Sequence, residues 1–352
     1  MSSISSPNMH TMPNVIIREL IPKLDWRSVL TLRQVSQRLR YQVDDAPDAI
    51  LPDPNFINIL VSVNSHCIEL EFVAPKKIYY NRYHINENGL FRRYIGGKFV
   101  EFNKEDLVEM AAMDLEQMMR FQNSDLDIFV VKYKDTKRSQ ETQIMNIFPT
   151  ILSNMLKAKK LKTKKLGMTA CEPSHYRNIL QSMDSKYLEH IEFRVDDDKL
   201  DLNMSEIVET EQWKCAEHVE FLAHRSIPLE SVTHCKRVNI NMRLYSYSAK
   251  EIDNLKTAYT KSSKFDHFIA YEFSIPCTDL SELWGEPFVV EEHPFYPTFN
   301  ILSYVRKSYY WYFRRFNGDD VIRVEFIQNW NQLKMECIKA DKVPDGAFVH
   351  GN

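Results

Sequence analysis

Glu189-His190-Ile191-Glu192-Phe193 returns 28 residues on as Glu217-His218-Val219-Glu220-Phe221, and this echo decides how the chain is read. Each phrase alternates polar and apolar positions, the period of a strand with one buried face. Looser copies of the apolar frame stand at Thr163-x-x-Leu166-x-Met168, Cys235-x-x-Val238-x-Ile240 and Phe265-x-x-Phe268. Counted from Leu166 through Ile191, Val219, Val238 and Phe268, successive frames are 25, 28, 19 and 30 residues apart. Helix-like spacing fills the stretches between them. One strand plus one helical segment per unit is the logic of leucine-rich repeats, whose apolar faces are buried only by stacking on neighbours. The expected fold class is a mixed α+β or α/β solenoid, with degenerate leucine-rich-repeat-like units over 140–280.

On the C-terminal side, Tyr309, Tyr310, Trp311, Tyr312, Phe313 and Phe316 concentrate six aromatics in eight residues. They open a β-meander expected over 287–340, with a turn at Asn317-Gly318, that caps the open end of the solenoid. Strand alternation buries Trp311 and Phe313 and turns Tyr310 and Tyr312 outward, as candidate target-binding contacts. Capping alone explains the aromatics equally well. On the N-terminal side, residues 55–135 read as a β-meander plus a helix. Strand patterns at 56–63, 67–73, 78–85, 90–95 and 98–102 are punctuated by Glu87-Asn88-Gly89 and Gly96-Gly97, which tolerate the positive φ of tight turns. Helical spacing follows at Leu107, Ala111, Leu115 and Met118 with Asn103 as cap, then a strand at 125–133 and a helix around 144–156.

Residues 12–45, MPNVIIRELIPKLDWRSVLTLRQVSQRLRYQVDD, fit three short helices. Pro13 suits a first turn, Asp25 an N-cap, and Val35, Leu39 and Val43 recur at helical spacing. So short a segment cannot bury this many large apolar side chains by folding on itself. The surplus is covered either by a partner or by the rest of the chain.

The segment 12–47 resembles an F-box, the helical module that docks on the Skp adaptor of a cullin–RING ubiquitin ligase. Met12-Pro13 stands where that family has Leu-Pro. Leu20-Ile21 and Leu24 match its apolar anchors, and Leu32-Arg33-Gln34-Val35-Ser36 with Arg38 matches its l-r-x-V-s-k-r-w stretch. Met12 for Leu, and Leu39 where many members carry Trp, are apolar departures. The resemblance implies adaptor contacts at Met12, Pro13, Ile16, Ile17, Leu20, Ile21, Leu24, Leu32, Val35 and Leu39. The layout over 50–345 resembles the FTH domain of a large nematode-expanded group of F-box proteins. That resemblance implies a module that selects a target protein for an SCF-type ligase, in the cytoplasm or nucleus. The rival expectation is a repeat-type binding scaffold outside any ligase.

Composition narrows the chemistry. The 352 residues carry a formal net charge of −3, so no global positive excess exists to hold nucleic acid. Only 8 glycines occur where average usage would give about 25. No Gly-rich phosphate-binding motif and no G-x-S-x-G is present, so no cofactor and no catalytic residue is expected. Cys215-x-x-His218 with His224 and Cys235 lacks the paired short spacings of structural zinc, and no metal is expected. Asp196-Asp197-Asp198 with Asp201 reads as a solvated loop. The six cysteines, Cys67, Cys171, Cys215, Cys235, Cys277 and Cys337, form no C-x-x-C pair and read as reduced thiols. Lys157, Lys159, Lys160, Lys162, Lys164 and Lys165 make the one basic run, a solvated turn or a contact for an acidic protein surface. Residues 1–11 read as a disordered leader without a signal peptide, and no 18-residue apolar run crosses a membrane.

Overall fold

Asp25 and Ser36 set where the N-terminal helices begin. In the computed structural model, which describes residues 12–85, 91–95, 98–102, 107–134, 143–169, 173–195, 204–222, 227–244, 247–273, 275–292, 306–316 and 318–351, the chain separates into two compact units, Met1–Lys164 and Lys165–Asn352. The first unit starts with α1 (Asn14–Leu20), α2 (Trp26–Val35) and α3 (Gln37–Asp44). An Asp25 carboxylate oxygen accepts from the amides of Arg27 at 3.0 Å and Ser28 at 3.1 Å, satisfying orphan donors at the start of α2. Ser36 does the same for α3, accepting from Leu39 N at 3.3 Å. Its backbone is extended, at φ −158° and ψ 158°, and this breaks the helical stripe running through Val35, Leu39 and Val43. Leu39 and Val43 are buried, whereas Val35 is left 51% exposed.

Ile17, Ile21, Val29, Leu32, Leu39 and Val43 form one core with Ala46, Leu51 and Phe121, the last residue of α4 (Leu107–Phe121). Polar ties hold its rim. Arg33 meets Asp44 through two hydrogen bonds, at 2.6 and 3.1 Å. Arg38 donates to Asn14 Oδ1 at 2.6 Å and to the carbonyl of Met12, pinning the start of α1 to α3.

The rest of the first unit is a sheet with helices on one face. β1 (Asn58–Asn64), β2 (Cys67–Ala74), β3 (Lys77–Ile85), β4 (Phe91–Ile95) and β5 (Lys98–Phe102) follow one another antiparallel. β6 (Leu126–Lys134) lies parallel to β1 on its other side, a pairing that periodicity alone does not announce. α4 and α5 (Gln143–Ala158) pack on this sheet. The turns at Glu87-Asn88-Gly89 and Gly96-Gly97 and the cap at Asn103 lie outside the described residues.

The second unit carries the echo. β7 (Thr163–Thr169), β8 (His190–Arg194), β9 (His218–Leu222), β10 (Arg237–Leu244) and β11 (His267–Phe273) lie side by side in chain order and parallel. The two copies of the phrase are in register, Ile191 opposite Val219 and Phe193 opposite Phe221. Helices fill the crossovers: α6 (Pro173–Gln181), α7 (Met204–Val208) with α8 (Glu211–Cys215), and α9 (Ala249–Lys261). The shortest interval, between β9 and β10, holds among its described residues a 3₁₀ turn at Leu229–Val232 in place of a full α-helix, in keeping with its 19 residues. Aromatic side chains from the helices cover the apolar face. Tyr176 and Trp213 sit 5.3 and 6.1 Å from Phe193, and Tyr259 stacks on Phe265 at 3.9 Å.

The C-terminal strands extend this sheet. After α10 (Cys277–Trp284), the order continues β11-β15-β14-β13-β12, through β12 (Phe288–Glu292), β13 (Arg306–Arg314), β14 (Asp320–Ile327) and β15 (Gln332–Lys339), with β15 antiparallel to β11. β16 (Val349–His350) lies beside β13. The expectation that Tyr312 faces outward is corrected: it is 2% exposed. β13 is an interior strand there, with Tyr312 flanked by Arg323 and Val349 and its ring stacked beside Tyr310. Trp311 and Phe313 are buried on Trp284, at 5.4 and 5.5 Å. The whole is a mixed α/β architecture with ten α-helices among the described residues.

Candidate functional site

Two surfaces carry side chains that the folding of their own unit leaves uncovered. The first lies on the N-terminal helices. Val15 and Ile16 on α1, Val35 at the end of α2 and Tyr41 on α3 are exposed, Ile16 to 47%. Pro13 is exposed as well, while Met12, Leu20 and Leu24 are half-buried. The other four expected adaptor contacts, Ile17, Ile21, Leu32 and Leu39, are sealed in the core of the first unit and cannot meet a partner as it stands. The ten residues therefore divide by face. An apolar side chain left in water forgoes about 1.5–3 kcal/mol that full burial would return.

The second surface is the other face of β7 to β11. Where the apolar positions turn toward the helices, the alternate positions form two polar rows. Lys165, His190, His218, Arg237 and His267 stand opposite one another in register, and the next row holds Glu192, Glu220, Asn239 and Ile269. Most of these side chains are half-exposed. Lys165 meets Glu192 at 2.7 Å, and Arg194 meets the same carboxylate at 3.3 Å. Burial, the largest influence on Glu192, pushes its carboxyl up, but the bond and charge of Lys165, with Arg194, hold it below the usual range. His190 Nε2 lies 3.6 Å from Glu220, and its ring stands edge-on to His218 at 5.8 Å.

These imidazoles are neutral near pH 7. Burial first, then the charges of Lys165 and His218, push His190 down to about 4. Burial and then Arg237 lower His218, and burial and then Lys334 lower His267. Glu220 thus has a neutral ring and the Asn239 carboxamide, at 3.5 Å, as its neighbours. His218 Nε2 and Asn239 Oδ1 are buried without a hydrogen-bond partner among the described residues. The row offers donors and acceptors at fixed spacing along a rigid sheet, which suits recognition of a polar surface. The shared repeat position of His190 and His218 was visible in the echo. The pairing of Glu192 and Glu220 with their neighbours was not, because it depends on strand order.

Tyr310, half-buried, donates to Glu325 at 3.0 Å. Cys215 is exposed at the end of α8 and Cys235 is buried. His224, Cys171 and the Asp196–Asp201 loop lie outside the described residues. Among the described residues no group of three or more His, Cys, Asp or Glu is placed to hold a metal ion. Nor is any described helix long and apolar enough to cross a membrane.

No curated protein matches the chain. A family model does: over residues 142–283, from α5 into α10, the chain matches the FTH domain.

Proposed function

We propose that this chain is the substrate-recognition subunit of an SCF-type cullin–RING ubiquitin ligase. The carrying observation is the division of the N-terminal helices. Six apolar positions make a core, and a second set, Val15, Ile16, Val35 and Tyr41, is left facing water. The FTH match supports an F-box-associated protein. In this reading Met12, Pro13, Ile16, Leu20, Leu24 and Val35 bury against a Skp-family adaptor, and the inward residues hold the helices in shape. The leucine-rich-repeat-like run β7 to β11 presents its polar rows to a target protein, with Tyr310 at the far side of the same sheet.

The mechanism is proximity. Holding a target on the same assembly as a ubiquitin-loaded enzyme raises the effective concentration of its lysines. This chain supplies no acid, base, cofactor or metal, and it works in the cytoplasm or nucleus. The test mixes purified full-length chain with a Skp-family adaptor and measures binding calorimetrically, for the wild type and for Ile16→Asp with Val35→Asp. Saturable binding lost in the variant, with an unchanged circular dichroism spectrum, is expected. A wild type that does not bind ends the proposal and leaves the second reading, a repeat-type scaffold, which the burial of Ile17, Ile21, Leu32 and Leu39 favours.

A further inference from the structure

A cleft of about 340 Å³ opens in the first unit between α4, the end of α5 and the turn that follows α3. Its volume is in the range of small-molecule sites. Met119, Met155, Leu156 and Leu161 give it an apolar floor, and unbranched Met side chains adjust to an irregular guest. Around them stand four cations, Arg120, Lys159, Lys160 and Lys162. Three of the six lysines of the basic run therefore share one concavity, where a solvated turn would scatter them.

The charges do not cancel. Asp48 and Glu116 are the two carboxylates of the lining. Asp48 is already occupied, by Arg120 Nε at 3.0 Å and Lys159 Nζ at 3.6 Å. Arg120 also donates to the carbonyl of Ala46 at 2.7 Å and Lys159 to that of Gln122 at 3.3 Å, so both cations are held in place. Lys160 is exposed and has no ion-pair partner among the described residues. The C-terminal ends of α4 and α5 each contribute about half a negative charge. Arg120 also lies 4.0 Å from Asp44, which Arg33 already holds at 2.6 Å, so Lys160 brings a cation with no ion-pair partner among the described residues to the edge of an apolar floor.

We propose that this cleft binds a phosphate monoester with an apolar body, the phosphoryl group against the lysines and the body on the methionine floor. A phosphoryl group offers three acceptor oxygens to donors converging from several sides, where a carboxylate offers two. The ester is either a free small molecule or a phosphorylated side chain of another protein. The site is independent of adaptor docking, since it uses none of the outward apolar residues of the N-terminal helices.

The experiment titrates the full-length chain with phenyl phosphate, inorganic phosphate, phenol and a short phosphotyrosine peptide by calorimetry, for the wild type, Lys160→Glu and, as a control that is not part of the lining, Lys186→Glu. Phenyl phosphate is expected to bind saturably, more tightly than inorganic phosphate or phenol. Its affinity should fall with added salt, and by about tenfold in Lys160→Glu, while Lys186→Glu leaves it unchanged. Because Lys160 is exposed and has no ion-pair partner among the described residues, its substitution spares the fold, which a thermal melt verifies. A peptide bound at least about tenfold more tightly than phenyl phosphate identifies a protein side chain as the source, and equal affinity identifies a free ester. Absence of saturable phenyl phosphate binding up to about 1 mM, or equal losses in the two variants, overturns the proposal.

Discussion

The N-terminal helices and the β7 to β11 run solve the same problem in opposite ways. Both are short periodic elements that must bury one face. In the run, the apolar positions of the repeated frame turn to the helices, and the outward rows are mostly polar, with lateral pairs of Lys165 with Glu192, His190 with Glu220 and Arg237 with Asp266. In α1 to α3 the apolar positions outnumber what one core can take, and Val15, Ile16, Val35 and Tyr41 remain outside. The difference predicts two kinds of contact. The helices offer gain from burial, which is insensitive to salt and tolerant of detail. The sheet face offers matched donors and acceptors, which cost little in water and discriminate between partners.

The comparison breaks first where its premise is strongest, at the apolar face of the run. Phe193 is fully buried between Tyr176, Trp213 and Phe221. Phe193→Ala is expected to lower stability by about 3–5 kcal/mol in urea unfolding. A loss below about 1 kcal/mol would mean that the stack is not a core.

The polar rows are sharpened by pH. His190 sits near 4 in the folded chain against 6.5 as its ordinary value, so between these values the unfolded chain binds more protons. Stability is therefore complete above pH 6.5 and falls as pH drops toward 4, by at most about 3 kcal/mol from this group. His218 and His267, also lowered, act in the same direction. Carboxylates held below their usual range, such as Glu192, add their loss only under about pH 4.5. Urea midpoints at pH 7.5 and 5.5 should differ, and His190→Gln should flatten the difference. An unchanged slope in that variant would show that the ring takes up its proton as readily in the folded chain as in the unfolded one.

The smallest stability effect belongs to the outward helix residues. Val35→Ser is expected to change the unfolding free energy by less than about 0.5 kcal/mol, because the side chain has no core to leave. Leu39→Ala, one helical turn along the sequence but inside the core, should cost about 2–5 kcal/mol. Equal costs at the two positions would erase the division between faces.

Much of this arrangement was legible before any coordinates. The 28-residue echo placed β8 and β9, and the looser frames placed β7, β10 and β11, because a half-buried strand writes its period directly into its side chains. Asp25 announced the start of α2 through its cap. What stayed hidden depends on backbone or on distant pairing. Ser36 adopts an extended conformation that no apolar period records, so the spacing joins Val35 to Leu39 and Val43 although the helix break turns it outward. Tyr312 obeys the alternation of its strand, but the expected exposure failed because both sides of β13 are covered at that position. The lysines of the 157–165 run read as a turn, since their convergence with Arg120 requires α4 to be in place.

The antiparallel seating of β15 on β11 limits how such a molecule can change in length. A duplicated strand–helix unit appended after β11 would find its place taken by a strand of opposite direction. Growth or deletion must therefore happen upstream, between β7 and β10, where each interval already differs from the next. A variant with one interval copied or excised there, and the C-terminal strands untouched, is the natural way to lengthen or shorten the row of contacts without disturbing its terminus.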